Sequence, residues 1–400
     1  MVIKMEIDAI VVGSGFAGSV LAERLANVLN KKVLVIEKRN HIAGNMYDYE
    51  RKGIFIHKYG PHIFHTNDKE ILDYLSQFTK WVSYQHKVLG IIDGEKIPIP
   101  FNLNSLYALL PLEYAKKLEK KLIENFGYGV KIPILELKRK AKEIKDKDLE
   151  FLADFIFEKV FLNYTRKQWE EEPENLLGVT ERVPILISKD DRYFQDKYQF
   201  MPKDGYTKMF ERMLNSRNIK ILLNTDYKEV VDIDFEKGKV YLFGKEFEGI
   251  FIYTGMIDYF FNYKYGKLPY RSLRFEFEEI DKEFYQDVAV ENYPNNYDFT
   301  RITEFKHFYK DIYNININKT IIAKEYPEKY TSENEPYYPI PKKENLDKYE
   351  KYKNEVEKLN NKFKNVKFYF VGRLAEYKYY NMDIVVKRAL DIFKLIKGEV

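Results

Sequence analysis

Apolar positions along this chain change their spacing from one stretch to the next, and each spacing predicts a different element. Asp8–Val12 and Lys32–Glu37 are short, nearly continuous apolar runs, as expected for strands buried on both faces. Between them, from about Ala17 to Leu29, apolar residues recur every three or four positions, which predicts an amphipathic helix. From about Asn104 to Trp169 helical spacing returns in the segments 113–126, 135–144 and 148–164, punctuated by Pro111, Gly127-Tyr128-Gly129 and Pro133. Alternating segments between Ile219 and Phe251, and between Leu273 and Tyr326, predict antiparallel strands. One more buried strand is predicted at Lys367–Val371 and a last helix from about Asp383 to Lys397. The Lys-, Glu- and Asn-rich stretch 342–366 reads as a solvated helix, and no internal repeat appears.

This order predicts an α/β fold. A discontinuous Rossmann-like domain takes 1–100, 195–235 and 365–400, a helical domain is inserted at 101–190, and an antiparallel sheet domain occupies 236–364. The first strand runs directly into Gly13-Ser-Gly-Phe-Ala-Gly18, the context a dinucleotide fingerprint requires. Gly13 suits the tight turn, Gly15 lets the backbone approach a pyrophosphate, and Gly18 lets helix and strand pack closely. The helix N-terminus would offer free N–H groups to the phosphates. Glu37 ends the second strand, nineteen residues beyond Gly18, placed to accept a ribose hydroxyl. Gly44, a few residues further on, suits a flavin dinucleotide better than a nicotinamide.

Composition narrows the reading. The 400 residues are 45% hydrophobic and 32% charged, which is globular composition. A net charge of +4 with both signs interleaved argues against nucleic acid but leaves room for a small anion. The absence of cysteine excludes disulfides and thiolate chemistry. No apolar run is long enough for a membrane span and the start lacks a signal-peptide layout, so a cytoplasmic location is expected. His62 and His65, three apart and without an acid nearby in sequence, make a poor metal site; no metal is expected.

Several further clusters concentrate chemistry: Tyr59–Thr66 (YGPHIFHT), Pro100–Asn102 (PFN), Asn163–Trp169 (NYTRKQW), Glu181–Pro184 (ERVP), Asp190–Phe194 (DDRYF), Phe299–Glu304 (FTRITE), Glu335–Pro341 (EPYYPIP) and Phe370–Asp383 (FVGRLAEYKYYNMD). With the N-terminal fingerprint, and in this order and spacing, the chain resembles the bacterial UDP-galactopyranose mutases through nearly its whole length. The resemblance implies FAD, active when reduced by NAD(P)H or a reduced flavin. It also implies interconversion of UDP-galactopyranose and UDP-galactofuranose through a covalent flavin N5–sugar adduct. A homodimer is expected, without nucleic-acid partners. Three positions depart from the family pattern: Asn381 stands where many members carry Asp, His86 where some carry Asn, and Ala43 replaces one glycine of a usual Gly-Gly pair.

The resemblance also assigns residues. Arg182, Arg301 and His62 are expected to be catalytic. His86, Tyr164, Trp169, Arg182, Tyr193, Asn292, Arg301, Tyr338 and Tyr379 are expected to contact the substrate. FAD contacts are expected at Gly13, Gly15, Phe16, Ala17, Gly18, Glu37, Lys38, Gly44, Asn45, His62, Ile63, Asp226, Tyr227, Arg373, Tyr380, Asn381, Met382, Asp383, Ile384 and Val385. Residue chemistry agrees. Trp169 and Tyr164 offer aromatic faces for a base, and two arginines offer forked donors for a diphosphate. Arg182, in a loop bounded by Pro173, Gly178 and Pro184, is expected to swing in with substrate. The last helix would point its N-terminus at the flavin. The alternative is a flavin oxidoreductase of the amine-oxidase type, which needs no arginine pair and no base platform.

Overall fold

The computed structural model describes residues 6–310 and 318–398. The expected strand–glycine turn–helix–strand unit forms at Ala9–Val12, Phe16–Asn27 and Val33–Ile36. It belongs to a five-stranded parallel sheet in the spatial order 219–222, 33–36, 9–12, 249–253, 366–370. Alternate residues of the first strand enter different cores. Ala9 and Val11 pack with Val20, Val33, Val35, Val386 and Ala389, and Ile10 packs with Leu34, Phe251, Phe368 and Tyr352. Because both faces are covered, the strands carry no polar face, which is why they read as continuous apolar runs.

The second sheet has seven strands, ordered 338–339, 270–280, 320–329, 301–304, 290–292, 88–92, 95–99. It was expected to be antiparallel, but Val290–Asn292 runs parallel to Val88–Ile92, so the sheet is mixed. Two segments sit elsewhere than their position in the chain suggested. Val88–Ile92 and Glu95–Ile99, expected with the dinucleotide-binding part, extend the mixed sheet. Gly249–Tyr253, expected with the sheet part, is the strand between Ala9–Val12 and Val366–Phe370. Ile219–Leu222 is likewise parallel, and only 231–247 of that stretch forms an antiparallel meander. The physical reason is that alternation reports a strand but not its neighbours, and spatial order departs from chain order at every long connection. The 311–317 portion of the expected 273–326 strands lies outside the described residues.

Helices Leu112–Phe126 and Ile134–Ile144 form as expected. The third helix runs further than expected: Lys147–Ile156 passes through a wide π-helical stretch, Phe157–Leu162, into Asn163–Trp169. The solvated helix at Lys343–Lys362 is instead amphipathic, burying Asn345, Tyr352 and Leu359. The closing helix, Met382–Lys397, packs against Phe16–Asn27.

Candidate active site

A cavity of about 490 Å³ opens where the parallel sheet, the mixed sheet and the long helix meet. The helix contributes Val160, Phe161, Tyr164, Thr165, Gln168 and Trp169, spaced so that one face looks inward. The mixed sheet contributes Asn292, Arg301 and Glu325, His86 comes from the loop just before its strand Val88–Ile92, and the chain following the last parallel strand contributes Arg373, Tyr379, Asn381 and Met382. All nine expected substrate residues line this cavity, together with His62.

Arg301 is the centre of its charge. Strand register places Glu325 directly opposite, with Nε 3.2 Å from Oε1, and a terminal nitrogen donates to Tyr164 Oη at 2.9 Å. Burial pushes the Glu325 carboxyl up and Arg301 pulls it back down. Burial likewise holds the Tyr164 phenol at about 12, so it stays protonated. Arg182, at the end of a single turn Thr180–Arg182, lies over the Tyr379 ring, 3.2 Å from its centroid, and donates to Asn381 Oδ1 at 3.3 Å. Arg373 approaches the same ring at 4.4 Å, and Tyr338 stacks on it at 5.1 Å. Burial pushes the Tyr379 phenol up, but Arg182 and Arg373 outweigh that and bring it to about 8. Trp169 is only 7% exposed, with its ring 5.7 Å from Tyr338.

The histidines add no charge. Burial lowers His86 to about 3 and holds His62 well below its ordinary value, so both imidazoles are neutral. His62 Nδ1 donates to the Gly60 carbonyl at 2.8 Å. The expectation that His65 has no acid nearby is corrected: Asp196 reaches its Nδ1 at 2.8 Å from 131 residues away. Among the described residues no group of three His, Asp or Glu side chains is placed to hold a metal. Asn292 Oδ1 and Gln168 Oε1 are buried without a hydrogen-bond partner among the described residues, leaving polar capacity that a ligand would complete.

One end of the cavity leads to the glycine turn, and the residues there fit a dinucleotide. A Cβ on Gly18 would sit 1.9 Å from Gly13 O, and one on Gly44 would sit 2.9 Å from Gly15 Cα. Gly15, which caps the helix with no side-chain acceptor, has no neighbour nearer than 3.9 Å to its Cβ position. The turn is therefore tight towards the protein and open towards the helix N-terminus, where Phe16 and Ala17 offer backbone N–H groups. Ala43 adopts a left-handed φ of 74°, a conformation that favours glycine, so alanine is held there at some cost in strain. Glu37 accepts from Ser14 N and Oγ at one oxygen and from Arg39 N at the other, Oε1, which keeps further acceptor capacity. Asn45, Ile63, Arg373, Asn381 and Met382 continue the path to the N-terminus of the closing helix, whose first turn holds Asp383, Ile384 and Val385. Tyr380 accepts from Arg373 through its carbonyl. Of the expected FAD contacts, Asn45, His62, Ile63, Arg373, Asn381 and Met382 line the cavity itself, and the others lie outside its lining, three of them with partners of their own. Lys38 pairs with Glu335, Asp226 caps the short helix that follows it, and Tyr227 is buried against Phe260.

Sequence reasoning missed Glu325, Gln168 and Arg271. Glu325 is a carboxylate at an inward position of a strand, a readable signal. Arg271 is 2% exposed and anchors the end of the helix through Gln168 O and Glu170.

The chain was compared with known proteins. A family model described as UDP-galactopyranose mutase matches residues 159–379, and one described as an NAD(P)-binding Rossmann-like domain matches 11–78. The chain is 34% identical over 388 residues to the UDP-galactopyranose mutase of Mycoplasma genitalium, covering 94% of this chain and 91% of that one. It is 30% identical over 395 residues to the dTDP-fucopyranose mutase of Escherichia coli, covering 96% and 97%. A solved structure of reduced UDP-galactopyranose mutase superposes with a TM-score of 0.73 at 15% identity, covering 99% of this chain and 95% of that one.

Proposed function

The chain belongs to the UDP-galactopyranose mutase family and is an isomerase of that family; from that premise we propose that it interconverts UDP-galactopyranose and UDP-galactofuranose on a bound, reduced FAD. One observation carries the reading. Arg182 and Arg301 line one cavity together with Trp169 and Tyr164, and that cavity reaches Asn45, next to the Gly44 that packs on Gly15 of the glycine turn. An oxidoreductase acting on an amine has no use for that arginine pair.

FAD would be held by the turn Gly13–Gly18, Glu37, Gly44–Asn45, Arg373 and the N-terminus of the closing helix. When bound and reduced, it supplies the nucleophile that holds the sugar while the ring changes size. The chain's own residues do the rest. Trp169 and Tyr164 seat the base, and Arg301 and Arg182 grip the diphosphate. As the bond to the anomeric carbon breaks, charge grows on the diphosphate, and donors already aimed at it lower that barrier. Arg182, on its loop, closes over the site and keeps water from the sugar. Neutral His62 and His86 can hydrogen-bond without adding a competing charge. No side chain needs to act as a general base, because the sugar's own hydroxyl closes the new ring. A homodimer belongs to the same reading.

The test is conversion of UDP-galactofuranose by purified protein, followed by chromatography with and without dithionite. The reading predicts turnover only after reduction, with no stoichiometric use of reductant. Consumption of one reductant per product would favour the oxidoreductase. Because one relative is a dTDP-fucopyranose mutase, dTDP-fucose should be run beside UDP-galactose; preference for it would move the substrate and leave the isomerase intact.

A further inference from the structure

A nucleoside diphosphate in this cavity would be gripped by two parts of the fold at once. Tyr164 and Trp169 come from the long helix, and Arg301 comes from the mixed sheet. The ligand's covalent structure fixes the separation of base and diphosphate, so helix and sheet must be held in register. Contacts to the loop 293–299 do this. Asn295 accepts from Asn163 Nδ2 at 2.9 Å and donates to Lys159 O at 2.8 Å. The larger contribution comes from Lys167, one turn beyond Asn163. Its Nζ donates to the carbonyl oxygens of Tyr293, Tyr297 and Phe299, at 2.5, 3.0 and 3.1 Å.

These three acceptors close the loop that joins Asn292 to Arg301, and both of those residues line the cavity. An ammonium has three N–H donors, and all three point at this loop. Among the described residues no carboxylate lies within ion-pair distance of Lys167. Burial lowers the ammonium to about 8, with Asp298 pulling it back up. A partly buried cation without an ion-pair partner is costly unless its hydrogen bonds are complete. Here they are complete, and they fix a segment that has no strand or helix of its own.

We propose that Lys167 is a positioning residue for nucleotide binding: its ammonium clasps loop 293–299 and so holds Arg301 and Asn292 at the separation from Tyr164 and Trp169 that a nucleoside diphosphate spans. This rests on Arg301 and Trp169 being nucleotide contacts.

The experiment uses the flavin-loaded, oxidised protein and UDP as the ligand, with affinity read by calorimetry. Flavin content and melting temperature are recorded for each variant. Lys167→Met keeps the methylene stem and removes the charge. It should weaken UDP binding about tenfold or more, the loss expected for charge-assisted hydrogen bonds, and in the reduced enzyme raise KM more than it lowers kcat. Flavin content should match wild type. Lys167→Arg keeps the charge but not the three-way geometry and should recover part of the affinity. UDP affinity within twofold of wild type in Lys167→Met would overturn the proposal. So would a loss that falls in step with flavin content and is no smaller in Lys167→Arg, since that marks a general structural role. If Lys167→Met does not fold, Lys167→Arg decides: weaker UDP binding at normal flavin content supports positioning, and unchanged binding overturns it. Normal UDP binding in both Arg301→Ala and Trp169→Ala would overturn the underlying reading of the cavity, and the Lys167 proposal with it.

Discussion

On the proposed reading, the glycine turn after the first strand and the side-chain cavity each prepare a place for phosphate groups, by opposite means. At the turn the backbone does it. Side chains are kept out, Gly18 packs on Gly13 and Gly44 on Gly15, and helix N–H groups face open space. In the cavity the work falls to side chains: Arg182, Arg301, Tyr164, Tyr338 and Tyr379 arrive from segments far apart in the chain. Backbone recognition tolerates many sequences provided a few positions lack a Cβ. Side-chain recognition depends on the whole topology bringing particular groups together.

The largest expected effects come from the turn. Gly18→Val puts a Cβ against Gly13 O and should destabilise the fold by about 4 kcal/mol or more, seen as loss of soluble protein or of a cooperative melt. Gly15→Val, by contrast, brings its Cβ only into ordinary contact with Gly44 Cα, at 3.9 Å. It should fold and lose its flavin, leaving a colourless protein with a melt close to that of flavin-stripped wild type. If both variants behave alike, the distinction between inward and outward glycines fails.

In the cavity, Arg182→Ala should cut kcat by ~10², the scale of losing an electrostatic donor, at unchanged flavin content. Lysine there should rescue poorly, because it lacks the planar fork. Stopped-flow turnover within a few-fold of wild type would remove Arg182 from the clamp.

Trp169→Ala should weaken UDP binding by ~1–3 kcal/mol, measured by calorimetry. Its low exposure makes core packing the rival account. Packing alone would lower the melting temperature and leave UDP affinity as it was.

The smallest effect is electrostatic. Tyr379, held near 8 by Arg182 and Arg373, releases its proton as pH rises through that value. The phenolate then competes with a diphosphate for the same guanidiniums, so binding takes up a proton and weakens above about pH 8. UDP-galactose on oxidised protein should show this fall, and Tyr379→Phe should flatten it. A wild-type profile that is flat across pH 7–9 would contradict the assignment.

The two regions also differed in how far the sequence disclosed them. The turn was legible because its chemistry is local: strand, glycines, helix and acid lie within a few dozen residues. The cavity residues became legible only through resemblance to a family, since no spacing relates Tyr164 to Arg301 or Arg182 to Asn381. What stayed hidden was long-range. Asp196 meets His65 across 131 residues, Glu325 faces Arg301 across a strand pair, and Gly249–Tyr253 slots beside the first strand. The spacing over 148–164 disclosed a helix but not its widening at Phe157–Leu162, the stretch that delivers Val160 and Phe161 to the cavity.

The division between backbone cradle and side-chain clamp is tested most directly by two readings on one sample of Arg301→Ala: the flavin-to-protein absorbance ratio and the UDP dissociation constant. The account predicts a wild-type flavin ratio together with UDP binding weakened by about 10², because removing one charged partner leaves the cradle untouched and the diphosphate without its fixed contact. A flavin ratio that falls in proportion to UDP affinity would contradict it, since the two regions would then be one site held together by Arg301.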